Sequence, residues 1–442
     1  MRLVQHFFRY VFQNIAGMIG VSLYILADTF FIARYAGADG ITVLNLSLPV
    51  YGLIFAIGAM TGIGSATRYS IRKAGGEQDL EGYFTNAILW DGLLSLPFMA
   101  AGILAPELVL RIMGADPQIR ELGREYVRIF LMFTPFFMMN YTFTAFVRND
   151  HAPGTAMLGM LAGSLCNIVL DYLLMFRLDL GLTGAAAATA ASPVITILIC
   201  SIHLLGKKHT ILTRPIRLFQ PFRWQRPSFG LLVSCCQLGI PAFVGEVSSA
   251  VTTGVFNMLL LASAGNTGVA AYGVVANLSL VAMAVFNGIA QGVQPLFSTG
   301  FGKGDGQEVR RLLYLALSTV VVTELLVVTV VWQQADLLAG IFNSQGDVLL
   351  QNHAAEGLRL YFPGYFAAGI NMILTSYLAA TDKGRLAFSV SLLRGVAAIT
   401  LCAIVMAGLF GMRGIWLSFP AAELLTMGFL AVRGRRKERN ML

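Results

Sequence analysis

Asn45-Leu46-Ser47-Leu48 recurs as Asn277-Leu278-Ser279-Leu280, 232 residues further along the chain. Working outward from this pair, Gly62 and Lys73 return as Gly292 and Lys303, Pro135 returns as Pro363, and Gly181-Leu182-Thr183-Gly184 returns as Gly411-Met412-Arg413-Gly414. One such match in a biased composition is chance, but a common offset of about 230 residues at separate places marks an internal repeat. Around these matches lie twelve apolar runs, at 11–33, 41–66, 85–105, 125–146, 154–176, 183–205, 230–262, 268–297, 312–333, 357–379, 386–409 and 414–432. Each is close to the roughly 20 residues a helix needs to cross hydrocarbon. The stretch from Gly206 to Phe229, with Pro215, Pro221 and Pro227, reads as a linker between two sets of six. The expected division is a first bundle at 1–206, a cytoplasmic linker at 207–229 and a second bundle at 230–442. An even number of spans per half gives both halves the same orientation. They are then related by an axis along the membrane normal, with a cavity between them, as in carriers that rock one half against the other. The fold class is therefore an all-α polytopic membrane protein, twelve transmembrane helices in two six-helix bundles related by pseudo-two-fold symmetry.

Composition leads to the same class. Of 442 residues 56% are hydrophobic and 12% charged, with a mean hydropathy of +0.71. The charged fraction is roughly half that of an ordinary soluble domain, which excludes a soluble enzyme, a disordered chain and a coiled coil. A membrane β-barrel alternates polar and apolar residues and would not produce such runs. The five cysteines, Cys166, Cys200, Cys235, Cys236 and Cys402, lie in or beside apolar runs and read as small buried hydrophobes. The first run contains Gln13 and Asn14 and lacks a small-residue cleavage site, so it reads as a span rather than a signal peptide.

The net charge of +8 is a statement about orientation, not about nucleic acid. With the N-terminus inside, 22 of the 31 Lys and Arg residues fall on the cytoplasmic side, among them Arg68, Lys73, Arg148 and the linker and tail clusters. Eight fall outside, and Arg394 lies within a span. Basic residues collect on the cytoplasmic side of inserted proteins, so both termini are expected there, in a multi-pass cell-membrane protein in contact with the lipid bilayer.

Ionisable groups inside a bilayer are costly and mark functional candidates. Asp28 and Asp171 each lie about five residues from the outer end of their spans, roughly 8 Å below the boundary. Asn167 is one turn from Asp171 on the same helix face, and Thr189 enters the next span from the same side. Converging carboxylates bind protons tightly, and hard oxygens suit a hard cation, so this set is a candidate H⁺ or Na⁺ coupling site. Glu246, mid-span and one turn after Pro241, is a candidate substrate or proton site in the second half. Asp91, Glu324 and Glu423 read more readily as helix contacts, with Arg394 a partner for one of them. Pro49, Pro97, Pro135, Pro193, Pro241, Pro295, Pro363 and Pro420 are kinks or hinges. His6, His151, His203, His209 and His353 lie in tails, loops or span ends and form no hydrolase-like or metal-like cluster, and no phosphate-binding Gly-x-x-x-x-Gly-Lys loop is present. No enzyme activity and no cofactor beyond the coupling ion are expected.

With these residues in view, the chain resembles the multidrug and toxic compound extrusion (MATE) family of the MOP flippase superfamily over essentially its whole length. The resemblance is carried by Ala27-Asp28-Thr29, Asn167-Ile168-Val169-Leu170-Asp171, the Gly181–Thr189 segment with its four alanines, and Leu238-Gly239-Ile240-Pro241. It implies a secondary antiporter exporting small-molecule cationic or amphiphilic drugs against H⁺ or Na⁺ by rocker-switch alternating access, functional as a monomer. By motif match it implies a cation site at Asp28, Asn167, Asp171 and Thr189 and a span-7 carboxylate at Glu246. Two features depart from the family pattern. Span 10 has Asn371 and Tyr377 but no carboxylate, with Asp382 beyond its end, and span 1 has no proline to bend it. The alternative is a lipid-linked oligosaccharide flippase of the same superfamily. That class usually has extra spans and a basic cavity, whereas acidic residues dominate within these spans.

Overall fold

The computed structural model describes residues 2–77, 80–206, 211, 227–343 and 347–439. The 207–229 linker and His209 thus lie almost wholly outside the described residues. The rest is mostly helix joined by short turns, with no strand among the described residues. Spans 1 to 6 are Leu3–Gly37, Asp39–Ala74, Gly82–Leu104, the bent pair Pro117–Met132 and Thr134–Asn149, Pro153–Arg177 and Gly181–Leu204. Spans 7 and 8 share Phe229–Gly302, and span 9 is Gly306–Gln333. Span 10 is Val348–Tyr361 followed by Tyr365–Ala380, and spans 11 and 12 share Gly384–Arg433. Most spans overrun the apolar runs that announce them: a helix continues wherever its end residues can reach water, so hydropathy marks the hydrocarbon and not the helix.

Backbone geometry repeats with the sequence. Gly37 (φ 58°, ψ −142°) divides spans 1 and 2, and Gly265 (φ 61°, ψ −152°) divides spans 7 and 8. Gly181 and Gly411, at φ 53° and 59°, open spans 6 and 12. The pairs Gly76 with Gly304 and His151 with Asp382 also share positive φ. Left-handed backbone is expensive for residues with a Cβ, so its recurrence about 230 residues apart comes from one fold used twice. Pro135 and Pro363 show the same parallel. Each lacks an amide donor and interrupts the fourth helix of its half: a 44° bend between Pro117–Met132 and Thr134–Asn149, and a 3₁₀ turn at Phe362–Gly364. The other span prolines lie inside continuous helices.

Each half packs its own core. In the first, Tyr51, Tyr126, Phe130 and Phe137 are buried together. In the second, Phe256, Tyr272, Tyr361, Tyr365 and Phe419 are, with Tyr361 stacked on Phe419 at 4.3 Å between ring centroids. Large apolar side chains such as Leu104, Val322, Leu326 and Leu409 are exposed on the outside, where lipid would cover them. Cys200, Cys235 and Cys402 are buried and Cys166 and Cys236 half-buried, all as free thiols.

The two halves meet along spans 1, 2, 7 and 8, at the end that carries Arg68, Lys73, Arg148 and Lys303 (the basic end). Small residues make this seam. Gly239 faces the backbone of Met60, Gly64 that of Cys235, Gly288 that of Ile15, and Gly302 that of Ile71. Without a hydrophobic drive between helices in lipid, such close backbone approach is a main source of adhesion. Two of the basic residues assigned to the cytoplasmic side, Arg68 and Arg148, lie within helices and are buried, 9% and 4% exposed, because the seam folds over them.

Candidate functional site

In the first bundle, Asp171 closes the α-helical part of span 5 and is followed by a π-helical turn, Tyr172–Arg177. Such turns carry one extra residue, and often sit at functional sites. Asp28 of span 1 and Asp171 are 7% and 0% exposed, and their carboxyl groups lie within hydrogen-bonding reach of each other. Asn167, one turn earlier, is fully buried. With its amide turned so that each atom meets a complementary partner, it donates to Asp171 Oδ2 at 3.2 Å and accepts from the Thr189 amide at 3.2 Å. The structure therefore brings together Asp28, Asn167, Asp171 and Thr189. One oxygen of each carboxyl, Oδ1 of Asp28 and of Asp171, is sealed from solvent without a partner. An unsatisfied buried acceptor costs about 1–3 kcal/mol, so this pair is ready for a proton or a small hard cation. The donor set, two carboxylates, a carboxamide and a hydroxyl, fits Na⁺ chemically.

The chain supplies neighbours that single-sequence reading missed. Tyr24, one turn before Asp28, and the hydrogen-bonded hydroxyls of Tyr51 and Tyr126, 2.9 Å apart, lie close to the carboxyl pair. The helical spacing of Tyr24 to Asp28 was a usable signal; the Tyr51–Tyr126 contact, between residues 75 apart, was not.

Glu246 is half-buried in span 7, in the second bundle, apart from the aspartate pair. Tyr141 of span 4 donates to its Oε1 at 3.4 Å, a long bond reaching across from the first bundle. It is a polar contact between the bundles that lies away from the basic end. The others gather at the basic end. Arg68 Nη1 donates to Asp382 Oδ1 at 2.7 Å and Nη2 to the Ser234 carbonyl at 2.9 Å, with cavities of about 280 and 530 Å³ on either side. Arg148 donates to Asn14 Oδ1 at 2.9 Å and Gln291 Oε1 at 2.5 Å. Gln294 donates to Thr67 at 2.7 Å. Beside them, buried Asp150 holds Lys73 at 2.9 Å and His203 at 2.8 Å. Burial, with Lys73 nearby, pushes His151 below the usual histidine range, so its neutral ring faces the Tyr10 hydroxyl at 3.3 Å.

The remaining buried acids separate by their partners. Asp91 accepts from Thr61 at 2.5 Å and Thr142 at 2.6 Å, a structural tie between spans 2, 3 and 4. Glu423 is held by Arg394 Nε at 2.6 and 2.8 Å and by Asn371 at 2.8 Å, so Arg394 does pair with one of the span acids. Glu324 meets no side-chain donor and lies against the Gly369 and Ile370 main chain of span 10. Among the described residues no group of three or more His, Cys, Asp and Glu side chains is placed to hold a metal ion.

The MatE family model matches residues 15–173 and 241–404, one block in each half. The multidrug export protein MepA of Staphylococcus saprophyticus is 30% identical over 405 residues, 91% of this chain and 87% of that protein. A MepA of Staphylococcus aureus is 28% identical over 415 residues, covering 92% and 89%. Among solved structures, MATE in complex with MaL6 superposes with a TM-score of 0.88 at 22% identity, covering 99% of this chain and 97% of the other. An outward-facing multidrug resistance MATE family transporter of the MOP superfamily superposes at 0.86 and 23%, covering 99% and 96%. At these identities the structures establish the twelve-helix fold.

Proposed function

The chain belongs to the MatE family, and from that premise we propose that it is a secondary exporter of cationic or amphiphilic drugs, driven by protons moving inward. It is a multi-pass membrane transporter and not an enzyme. The export role is supported by the relatives named as multidrug export proteins along nine-tenths of this chain.

The observation that carries the coupling is the contact between Asp28 and Asp171. Two ionised carboxylates repel at this distance; the pair is favourable when the two share a proton. A proton taken up from outside neutralises the pair, and its release inside restores a negative site. That alternation makes the pair's charge depend on which side the cavity faces. The Asn167 carboxamide, itself held by the Thr189 amide, orients Asp171. The basic end is read as cytoplasmic, which places both termini inside. The seam is closed there by Arg68–Asp382, Arg148–Gln291 and the glycine contacts, which supports reading this conformation as shut on the cytoplasmic side, with Tyr141 meeting Glu246 between the bundles. Glu246 supplies a negative charge there for a cationic substrate. The single chain carries both halves of the cavity and works as a monomer.

The test is ethidium efflux from cells expressing the protein. Asp28→Asn and Asp171→Asn each remove one titratable group and are expected to abolish efflux while leaving expression intact. Efflux at the wild-type rate in both variants overturns the coupling site. In proteoliposomes, an imposed pH gradient is expected to drive uptake and an imposed sodium gradient is not. The reverse result would assign Na⁺ to the same oxygens.

A further inference from the structure

Asp91 and Glu324 occupy the third span of their respective halves, and each faces the fourth span of its half: Asp91 against Thr142, Glu324 against Gly369. The repeat provides an internal comparison. Both oxygens of Asp91 are satisfied by hydroxyl donors, whereas Glu324, 0% exposed, has none for either oxygen. Its carboxyl lies so close to Gly369 that a Cβ there would collide with Oε1. A carboxylate with no side-chain donor at this depth is a costly way to keep the group, and a neutral acid is the cheaper one.

The groups around it explain how the proton would leave. Span 10 brings Asn371, two residues beyond Gly369, onto Glu423, and Glu423 holds Arg394 through Nε alone. The terminal nitrogens of Arg394 make no hydrogen bond among the described residues. Arg394 sits in a second π-helical turn, Leu393–Ala398, in the fifth span of its half, as the turn after Asp171 does in the first. The next residue, Gly395, abuts Ser248, two residues from Glu246. The charged group acting on Glu324 is Glu423, which carries Arg394 as its own partner, and Tyr361 and Tyr365 lie near that pair. The packed stretches of span 8 (268–302) and span 10 (365–380) carry no acidic or basic residue.

We propose that Glu324 is a second proton site of the carrier, inside the second bundle and separate from Asp28 and Asp171. It is filled while the basic end is closed and emptied when the free nitrogens of Arg394 swing to bridge Glu324 and Glu423. The O–H bond of Glu324 breaks, the proton passes to water, and Arg394 then compensates two carboxylates in place of one. The π turn supplies the movement, because relaxing its extra residue rotates Arg394 relative to span 12. This rests on the reading of the chain as a proton-driven exporter.

The test uses the full-length protein. Infrared difference spectra of purified protein, on adding tetraphenylphosphonium and on stepping the pH, are expected to show the carbonyl stretch of a protonated carboxyl declining. Glu324→Gln is expected to remove that band, while Asp91→Asn and the Asp28→Asn, Asp171→Asn double variant retain it. Gly369→Ala, which pushes on the carboxyl from the other side, is expected to shift it. In proteoliposomes Glu324→Gln is expected to slow uptake driven by a pH gradient about tenfold, the size of an ordinary coupling between sites. A band unchanged in both Glu324→Gln and Gly369→Ala, or one that responds to neither pH nor substrate, overturns the proposal. Wild-type protein that ignores a pH gradient overturns proton coupling instead, and leaves the infrared result to judge Glu324 alone.

Discussion

Glu423 and Glu324 have the same chemistry and opposite surroundings. Glu423 has a buried cationic partner, its side chain 4% exposed and that of Arg394 19%. Removing one member of a buried pair leaves the other uncompensated, at about 3–5 kcal/mol. Glu423→Gln is therefore expected to lower the thermal unfolding midpoint of the purified protein sharply, and Glu324→Gln to change it little. Equal losses in the two variants would contradict this assignment of partners. Residue-level legibility divides along the same line. Asp28, Asn167, Asp171 and Thr189 could be placed together from depth and helix face, because both are one-dimensional properties of a helix. Tyr141 beside Glu246 and the burial of Arg148 could not, because both depend on how the bundles dock. Arg148 in particular looked like a solvent charge, since nothing local says that Asn14 and Gln291 will cover it.

At the scale of elements, spans were legible because hydrocarbon demands unbroken apolar length, and their breaks were legible where proline or a repeated glycine marked them. Neither π turn announces itself in composition; each arises from how spans 5 and 11 pack. The glycine breaks can be tested in isolation. Nothing lies within 4 Å of where a Cβ on Gly265 would sit, so substitution meets only the backbone penalty of φ 61°, ψ −152°. Gly265→Ala is expected to cost about 1–3 kcal/mol, read as a lower unfolding midpoint, whereas Gly254→Ala, in open space within the same helix, is expected to be neutral or stabilising.

For the whole molecule, the balance between the two access states rests on the seam. Arg68–Asp382 is its most exposed ionic element, with side chains 11% and 46% exposed, so it contributes about 1 kcal/mol or less. Asp382→Asn is expected to raise the labelling rate of a cysteine placed at the basic end a few-fold, and the exchanged pair Arg68→Asp with Asp382→Arg to restore it in part. Labelling that is unchanged by Asp382→Asn would show that the pair is incidental to closure.

The seam is also narrow in a literal sense. Where Gly239 meets Met60 and Gly302 meets Ile71, main chain rests directly on main chain, with no room for even a single methyl group. A carbon atom added there would act as a doorstop, harmless to either bundle yet forbidding the closed stance. One small substitution would then leave the carrier facing a single compartment, intact and idle, a form suited to capturing the half of its cycle that this conformation does not display.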